Sequence, residues 1–207
     1  MQLLLVHPTP LQLIKLMLRL CLVVPLLVVP RQKVPIFFIL QNMASRRLSR
    51  LKKEMELMKK KSRPGVFLSP VGDSMEDFEA SITGIEGTPF ESGVFKLEIK
   101  IPENYPLGVP IVRFTTPIYH PNVDSAGRIC LKSLKPPPVG DWSPSILLVD
   151  LIFEIRQLLQ HANPNDSLMP DIAQEYMLNK VEFDKKAREL TEKHAVPQNG
   201  EKQEQCT

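Results

Sequence analysis

Phe78-Glu79-Ala80-Ser81-Ile82-Thr83 and, after a gap of ten residues, Val94-Phe95-Lys96-Leu97-Glu98-Ile99-Lys100-Ile101 alternate apolar and polar side chains along their length. A period of two marks a strand with one face in a core and the other in water. The intervening chain holds two turn-like runs, residues 84–89 and 91–93. Connections this short favour antiparallel neighbours, since a parallel pair needs a crossover of about a dozen residues or more. Residues 66–68 before and 111–114 after are shorter strand candidates. The pattern therefore predicts a four-stranded antiparallel meander.

The flanking sequence is helical. Over residues 44–61, Leu48, Leu51, Met55 and Met58 recur at steps of three and four, which predicts an amphipathic helix. Its other face carries Arg46, Arg47, Arg50, Lys52, Lys53 and Lys59–Lys61, and Pro64-Gly65 ends it. Beyond the strands, no period persists over residues 116–141. A stretch that long without regular structure is usually functional. Ser143 then reads as an N-cap with Pro144 at the first helical position. The helix expected from Ser145 to Gln160 is apolar on most sides, which places it in the middle of the domain. Two more helices are expected near residues 171–178 and 181–195. Together these elements give an α/β fold of the α+β kind: a meander sheet with an N-terminal helix, a central buried helix and two C-terminal helices.

Composition sets further bounds. The 207 residues are 43% hydrophobic and 24% charged, which suits one domain with a sizeable core. A net charge of +3 is too small to mark a nucleic-acid binder. Cys21, Cys130 and Cys206 lie far apart, without metal-ligand spacing, so neither a zinc site nor a disulfide scaffold is expected. Residues 1–42 lack Asp and Glu altogether and are rich in Leu, Val and Pro. Their longest uncharged, strongly apolar run, residues 20–30, is broken by Pro25 and falls short of the roughly 18–20 residues a membrane helix needs. Three readings stand for this extension: a segment outside the working protein, with translation starting at Met43; a weak membrane anchor or targeting segment; or an added structural element. The expected organisation is thus an extension over 1–42, a folded domain over 43–195 and a disordered polar tail over 196–207.

The irregular middle carries the chemistry. It contains Pro117-Ile118-Tyr119-His120-Pro121-Asn122 and, eight residues after Asn122, Cys130. A lone cysteine is either a small buried hydrophobe or a nucleophile. Here Arg128 and Lys132 are close in sequence, and nearby cations favour thiolate. His120 has two readings, a structural histidine bonded to local backbone or a participant in the chemistry. The His-Pro step, restricted to extended or turn geometry, favours the first. Without a dedicated base, a thiol is better suited to carrying an acyl group than to hydrolysing it. An amine attacking the thioester would build an oxyanion, for which the Asn122 amide offers a neutral donor. The other reading of Asn122 is a brace for the loop.

His120-Pro121-Asn122 followed by Gly127-Arg128-Ile129-Cys130-Leu131 resembles the signature of ubiquitin-conjugating enzymes. The flanks agree: Gly93-Val94-Phe95, Tyr105-Pro106 with Pro110, Trp142-Ser143-Pro144-Ser145, and Asn163-Pro164-Asn165-Asp166-Ser167-Leu168. The resemblance covers about residues 44–195. Within the family the chain is most similar to the T-type branch, linked to Fanconi-anaemia DNA repair, through residues 116–122 and 124–130, the proline-rich 134–140 insert and Thr191-Glu192-Lys193-His194-Ala195.

The resemblance implies the ubiquitin-conjugating fold and a two-step reaction. Cys130 would accept the ubiquitin C-terminus from the thioester of the activating enzyme. A substrate lysine, positioned by a RING-type ligase, would then attack. ATP is used upstream, so no cofactor and no metal are implied. Asn122 would stabilise the oxyanion or the loop holding it, and Asp166 would gate and orient the incoming amine. His120, Pro121 and Leu168 would shape the active-site loop. Arg47, Arg50 and Lys53, with Leu107, Pro144 and Ser145, match positions that meet the activating enzyme and ligases. No direct nucleic-acid contact is implied, and the family location is nucleus and cytoplasm. Some positions depart from the family pattern: Lys132 stands where many relatives have an acid, Leu107 where Phe is frequent, Asn104 where the T-type has Arg, and Ser167 where Pro is common. Lys132 and Lys135 lie close enough in sequence to Cys130 to be candidates for modification by the enzyme's own thioester. The competing readings are a carrier for a ubiquitin-like modifier, a non-catalytic binding module of the same fold, and an anchored or nucleic-acid-associated scaffold centred on residues 1–61.

Overall fold

The computed structural model describes residues 36–60, 63–73 and 75–196, with side chains from residue 44 onward. The chain divides into two units, residues 1–39 and 40–207, and the sheet and every site residue lie in the second. Most of the extension, and the tail from residue 197, fall outside the described residues. Among the described residues no helix is long and apolar enough to cross a membrane.

The first helix, α1 (Ile36–Lys60), starts well before the expected residue 44. Between Pro35 and Pro64 the sequence contains neither proline nor glycine to break it. Leu51 is buried, and Met55 and Met58 pack partly buried against the core, as the periodicity predicts. Leu48 is exposed instead, and the inner face gains a buried carboxylate, Glu54.

The four strands are β1 (Val66–Pro70), β2 (Asp77–Thr83), β3 (Val94–Lys100) and β4 (Ile111–Phe114). They pair antiparallel in sequence order, the expected meander. The register puts Phe78 opposite Ile99, Ala80 opposite Leu97 and Ile82 opposite Phe95, so one inward row is continuous across β2 and β3. Each fully buried Phe, Leu or Ile contributes about 1.5–3 kcal/mol from removal of its apolar surface from water. Against this face lies α2 (Leu148–Gln160), which contacts β1 and β2 and buries Leu148, Leu151, Ile152, Ile155 and Leu159.

The start of α2 differs from expectation. The helix begins at Leu148, and Pro144, Ser145, Ile146 and Leu147 precede it. Ser143 is not its N-cap; its hydroxyl meets the Ser145 hydroxyl at 2.9 Å. The capping group comes instead from α1, where Glu54 Oε2 accepts the Leu148 N–H at 2.8 Å. A carboxylate there serves the helix N-terminus better than a hydroxyl, because it also complements the positive end of the helix dipole.

Two further helices, α3 (Pro170–Leu178) and α4 (Lys180–His194), close the domain as expected. Tyr176 and Phe183 join them through an edge-to-face contact at 5.0 Å, and Phe183 also stacks near Tyr119. The end of α4 is tied to the sheet by the Val94 N–H donating to the Ala195 carbonyl at 2.8 Å.

Candidate active site

Residues 116–141 are irregular, as the missing periodicity predicts, but they are held firmly. The chain reverses at residues 124–128, where Asp124 accepts the N–H groups of Ala126 and Arg128 and pairs with the Arg128 guanidinium at 2.6 Å. Gly127 has φ +75°, and a Cβ there would sit 2.0 Å from the Phe114 carbonyl oxygen. Only glycine fits both the backbone and the approach to β4, where the Phe114 N–H donates to the Gly127 carbonyl. The turn thus delivers Ile129 and Cys130 from the edge of the sheet.

Cys130 is then fixed by the His-Pro-Asn segment. Its N–H donates to the Asn122 carbonyl at 2.8 Å. His120 is wholly buried: Nε2 meets the Leu158 carbonyl at 3.0 Å, and Nδ1 accepts the Asn122 N–H at 3.1 Å. An acceptor on one nitrogen and a donor on the other require the neutral ring with the proton on Nε2. Burial drives its pKa down to about 4. Both facts fit the structural reading of His120 and leave it no route to a reacting group.

Asn122 shows the same economy. Its amide Nδ2 donates to the carbonyls of Asn163 and Asp166 at 2.7 and 2.8 Å, and Oδ1 accepts the Asn163 N–H at 2.9 Å. An amide NH₂ has two hydrogens. Both are spent on the 163–166 loop, so in this geometry Asn122 braces that loop and has no hydrogen free for an oxyanion. The Pro121 carbonyl adds two more ties, accepting from the N–H groups of Leu168 and Met169. Pro121 is buried and Leu168 is 38% exposed at the rim.

These ties bring Asp166 to the sulfur. Lys135 Nζ lies 3.1 Å from Cys130 Sγ and 3.3 Å from Asp166 Oδ2. The sequence argument placed the sulfur among cations, and it is; however, the cation in contact is Lys135, while Arg128 is paired with Asp124. The expected thiolate does not follow. Burial pushes the Cys130 thiol pKa up, the Lys135 ammonium opposes that rise, the Asp166 carboxylate adds to it, and the net effect is upward. Contact with the sulfur and with Asp166 holds Lys135 above its ordinary value. Asp166 is held below the usual carboxylate range by Cys130 and then by Lys135. Cys130 is only 7% exposed, yet it stands outside the continuous apolar core. What covers it includes Lys135 and Asp166, whose side chains are themselves 33% and 43% exposed. Lys132, at the start of a short 3-10 turn (Lys132–Leu134), is exposed and adds positive potential at Asp166.

The residues matched to partner contacts divide. Leu107 is 70% exposed, and Pro144, Ser145 and Lys53 are exposed, as a docking surface requires. Arg47 is paired with Glu76 at 2.8 Å. Arg50 turns inward, donating to Glu54 and, at 3.2 Å, to the Ile146 carbonyl, so it serves the frame of the surface more than its face. Sequence reasoning missed Glu54. Its signal was visible: a carboxylate one residue before Met55, on the apolar stripe of the helix.

A family model described as "Ubiquitin-conjugating enzyme" matches residues 50–191. "Ubiquitin-conjugating enzyme E2 T" of Bos taurus is 54% identical over 149 residues, covering 72% of this chain and 76% of the relative. The protein of the same name from Homo sapiens is 50% identical over 149 residues, with the same coverage. "Ubiquitin-conjugating enzyme E2 N" of Drosophila melanogaster is 42% identical over 147 residues, 71% of this chain and 95% of the relative.

Proposed function

Because the chain belongs to the ubiquitin-conjugating enzyme family, and so is a ubiquitin-transferring enzyme, we propose that Cys130 is the carrier. Its sulfur takes the ubiquitin C-terminal acyl group from the activating enzyme's thioester, and the activating enzyme's thiol leaves. A lysine amine of the substrate then attacks the carbonyl carbon. The C–S bond breaks, an amide forms, and the Cys130 thiol is regenerated. The observation that supports this most directly is that, among the described residues, no histidine is hydrogen-bonded to the sulfur. The nearest in sequence, His120, is sealed against the Leu158 carbonyl. A site without a histidine to activate water suits an acyl carrier better than a hydrolase.

Asp166 stands where an arriving ammonium would replace Lys135. A carboxylate held below its ordinary range is a weak base, so its contribution is to orient the amine rather than to deprotonate it. Asn122 acts by holding the loop that carries Asp166. Leu107, Pro144, Ser145 and Lys53 form the surface that meets the activating enzyme and a RING-type ligase, an apolar knob beside polar groups suited to a small transient interface. Similarity to the E2 T proteins supports a place in DNA repair, by attachment of single ubiquitins, in the nucleus and cytoplasm.

The test mixes the protein with ubiquitin-activating enzyme, ATP and ubiquitin and separates the products with and without reductant. A reductant-sensitive adduct is expected, absent in Cys130→Ala. Cys130→Ser should give an adduct that survives reductant, because an oxygen ester is the less reactive acyl donor. No adduct with the unaltered chain would refute the proposal, and an adduct only with a ubiquitin-like modifier would redirect it.

A further inference from the structure

We propose that Glu54 is the positioning residue of the docking surface, a single buried carboxylate that fixes α1, the 105–107 loop and the 144–148 segment relative to one another. The inference rests on the reading above that this surface meets the activating enzyme. Glu54 is 5% exposed, and its hydrogen bonds go to Arg50, Tyr105 and Leu148 rather than to the reacting groups. Its Oε1 accepts from Arg50 Nε on α1 and, at 2.6 Å, from the Tyr105 hydroxyl. Its Oε2 accepts the Leu148 N–H at 2.8 Å. Three donors thus come from three separate parts of the chain, and Arg50 adds a fourth tie by reaching the Ile146 carbonyl.

Each of those parts ends at the surface. Leu107 lies just beyond Tyr105, Pro144 and Ser145 lie just before Leu148, and Lys53 adjoins Glu54 itself. A helix cap alone needs only a local Ser or Asp. Here the N-cap residue Leu147 makes no side-chain bond, and the cap is imported from 94 residues away. A buried ion pair is a poor source of net stability, because desolvation offsets its attraction. What a carboxylate does supply is direction: its oxygens accept along fixed axes, so three segments satisfied by one group cannot shift independently. Burial and the Glu54 contact also hold the Tyr105 hydroxyl in its protonated, donating form. A second tie runs in parallel, with Trp142 Nε1 donating to the Pro106 carbonyl at 3.1 Å.

A surface assembled in advance binds its partner more tightly than one that must be ordered on contact. The test measures loading by ubiquitin-activating enzyme against the concentration of this protein, for the unaltered chain, Glu54→Gln, Tyr105→Phe and the double variant. Tyr105→Phe removes one hydroxyl and is the mild probe if Glu54→Gln folds poorly. The half-saturating concentration is expected to rise about fivefold in each single variant, while the maximal rate changes less than about twofold. The double variant should rise by less than the product of the two, since both act through one carboxylate. Unchanged half-saturation in both singles overturns the inference, as does a rise that the unfolded fraction of each variant at the assay temperature fully accounts for. Failure of the unaltered chain to load would refute the carrier reading first, and the inference with it.

Discussion

Replacing Asn122 with alanine separates the two roles that its position allows. The side chain makes three hydrogen bonds, at 2.7, 2.8 and 2.9 Å, all to the backbone of Asn163 and Asp166, and it is wholly buried. Each such bond contributes about 0.5–1.5 kcal/mol net, so the loss of three costs roughly 1.5–4.5 kcal/mol, more if the stranded backbone groups find no water. Against a typical domain stability of about 5–15 kcal/mol that is readily measured. The assay is urea denaturation of the free protein, paired with the rate at which the loaded Cys130 thioester discharges to free lysine. The expected result is a stability loss in that range, together with slower discharge, because the loop that aims Asp166 is no longer held. An oxyanion donor would behave otherwise. Its removal costs about a hundred- to a thousandfold in rate and acts only in the transition state. A variant whose stability stays within about 0.5 kcal/mol of the parent while discharge falls a hundredfold would refute the bracing assignment.

Three more expectations follow from the same geometry. His120 is held neutral with a pKa near 4 against an ordinary 6.5; the unfolded chain therefore takes up the proton first as pH falls, and stability on the order of 3 kcal/mol is lost between pH 6.5 and 4. Urea midpoints measured across that window should fall, and should fall less steeply in His120→Gln. At the sulfur, Asp166→Asn should lower the pH midpoint of Cys130 alkylation by iodoacetamide and Lys135→Met should raise it, because the carboxylate opposes the thiolate and the ammonium favours it; shifts in the opposite directions would contradict the described contacts. Finally, mass spectrometry of the loaded enzyme should find ubiquitin on Lys135 before Lys132, since Lys135 touches the sulfur, and modification of neither would remove the idea of self-modification.

The architecture was legible because period two and period 3.6 are strong signals in this chain. Residues 78–83 and 94–101 alternated cleanly, and β2 and β3 pair as that alternation requires. The misreadings cluster around one buried carboxylate, Glu54. Ser143-Pro144 looks like a helix start, yet Glu54 provides the cap and the helix begins at Leu148. Arg50 looks like part of a solvated basic face, yet a carboxylate four residues on draws it inward. The backbone-bonded His120 was readable from its place between Tyr119 and Pro121; its neutral state came only with the structure. The protonation state of Cys130 was not readable either, because counting nearby cations leaves out burial, and burial is the largest influence on that thiol.

That last point bears on how a carrier can be both stable and reactive. A thiol whose pKa is raised is a poorer leaving group, so its thioester gives way more slowly to any nucleophile, water included. With no histidine beside it among the described residues, water gains little activation either. The resting site also holds its own ammonium, Lys135, between the sulfur and Asp166. Once the sulfur is acylated, the thiol that held Lys135 is gone, and Asp166 is left to receive one amine or another. Which amine arrives then depends on proximity, worth far more than any intrinsic difference between lysines. Lys135 is tethered but kept charged by Asp166, so it attacks only through its small deprotonated fraction and self-modification is slow; a substrate lysine is brought in by a docked partner and then has to lose its proton. On this reading selectivity resides in the docking surface that Glu54 organises, and the sulfur needs no selectivity of its own.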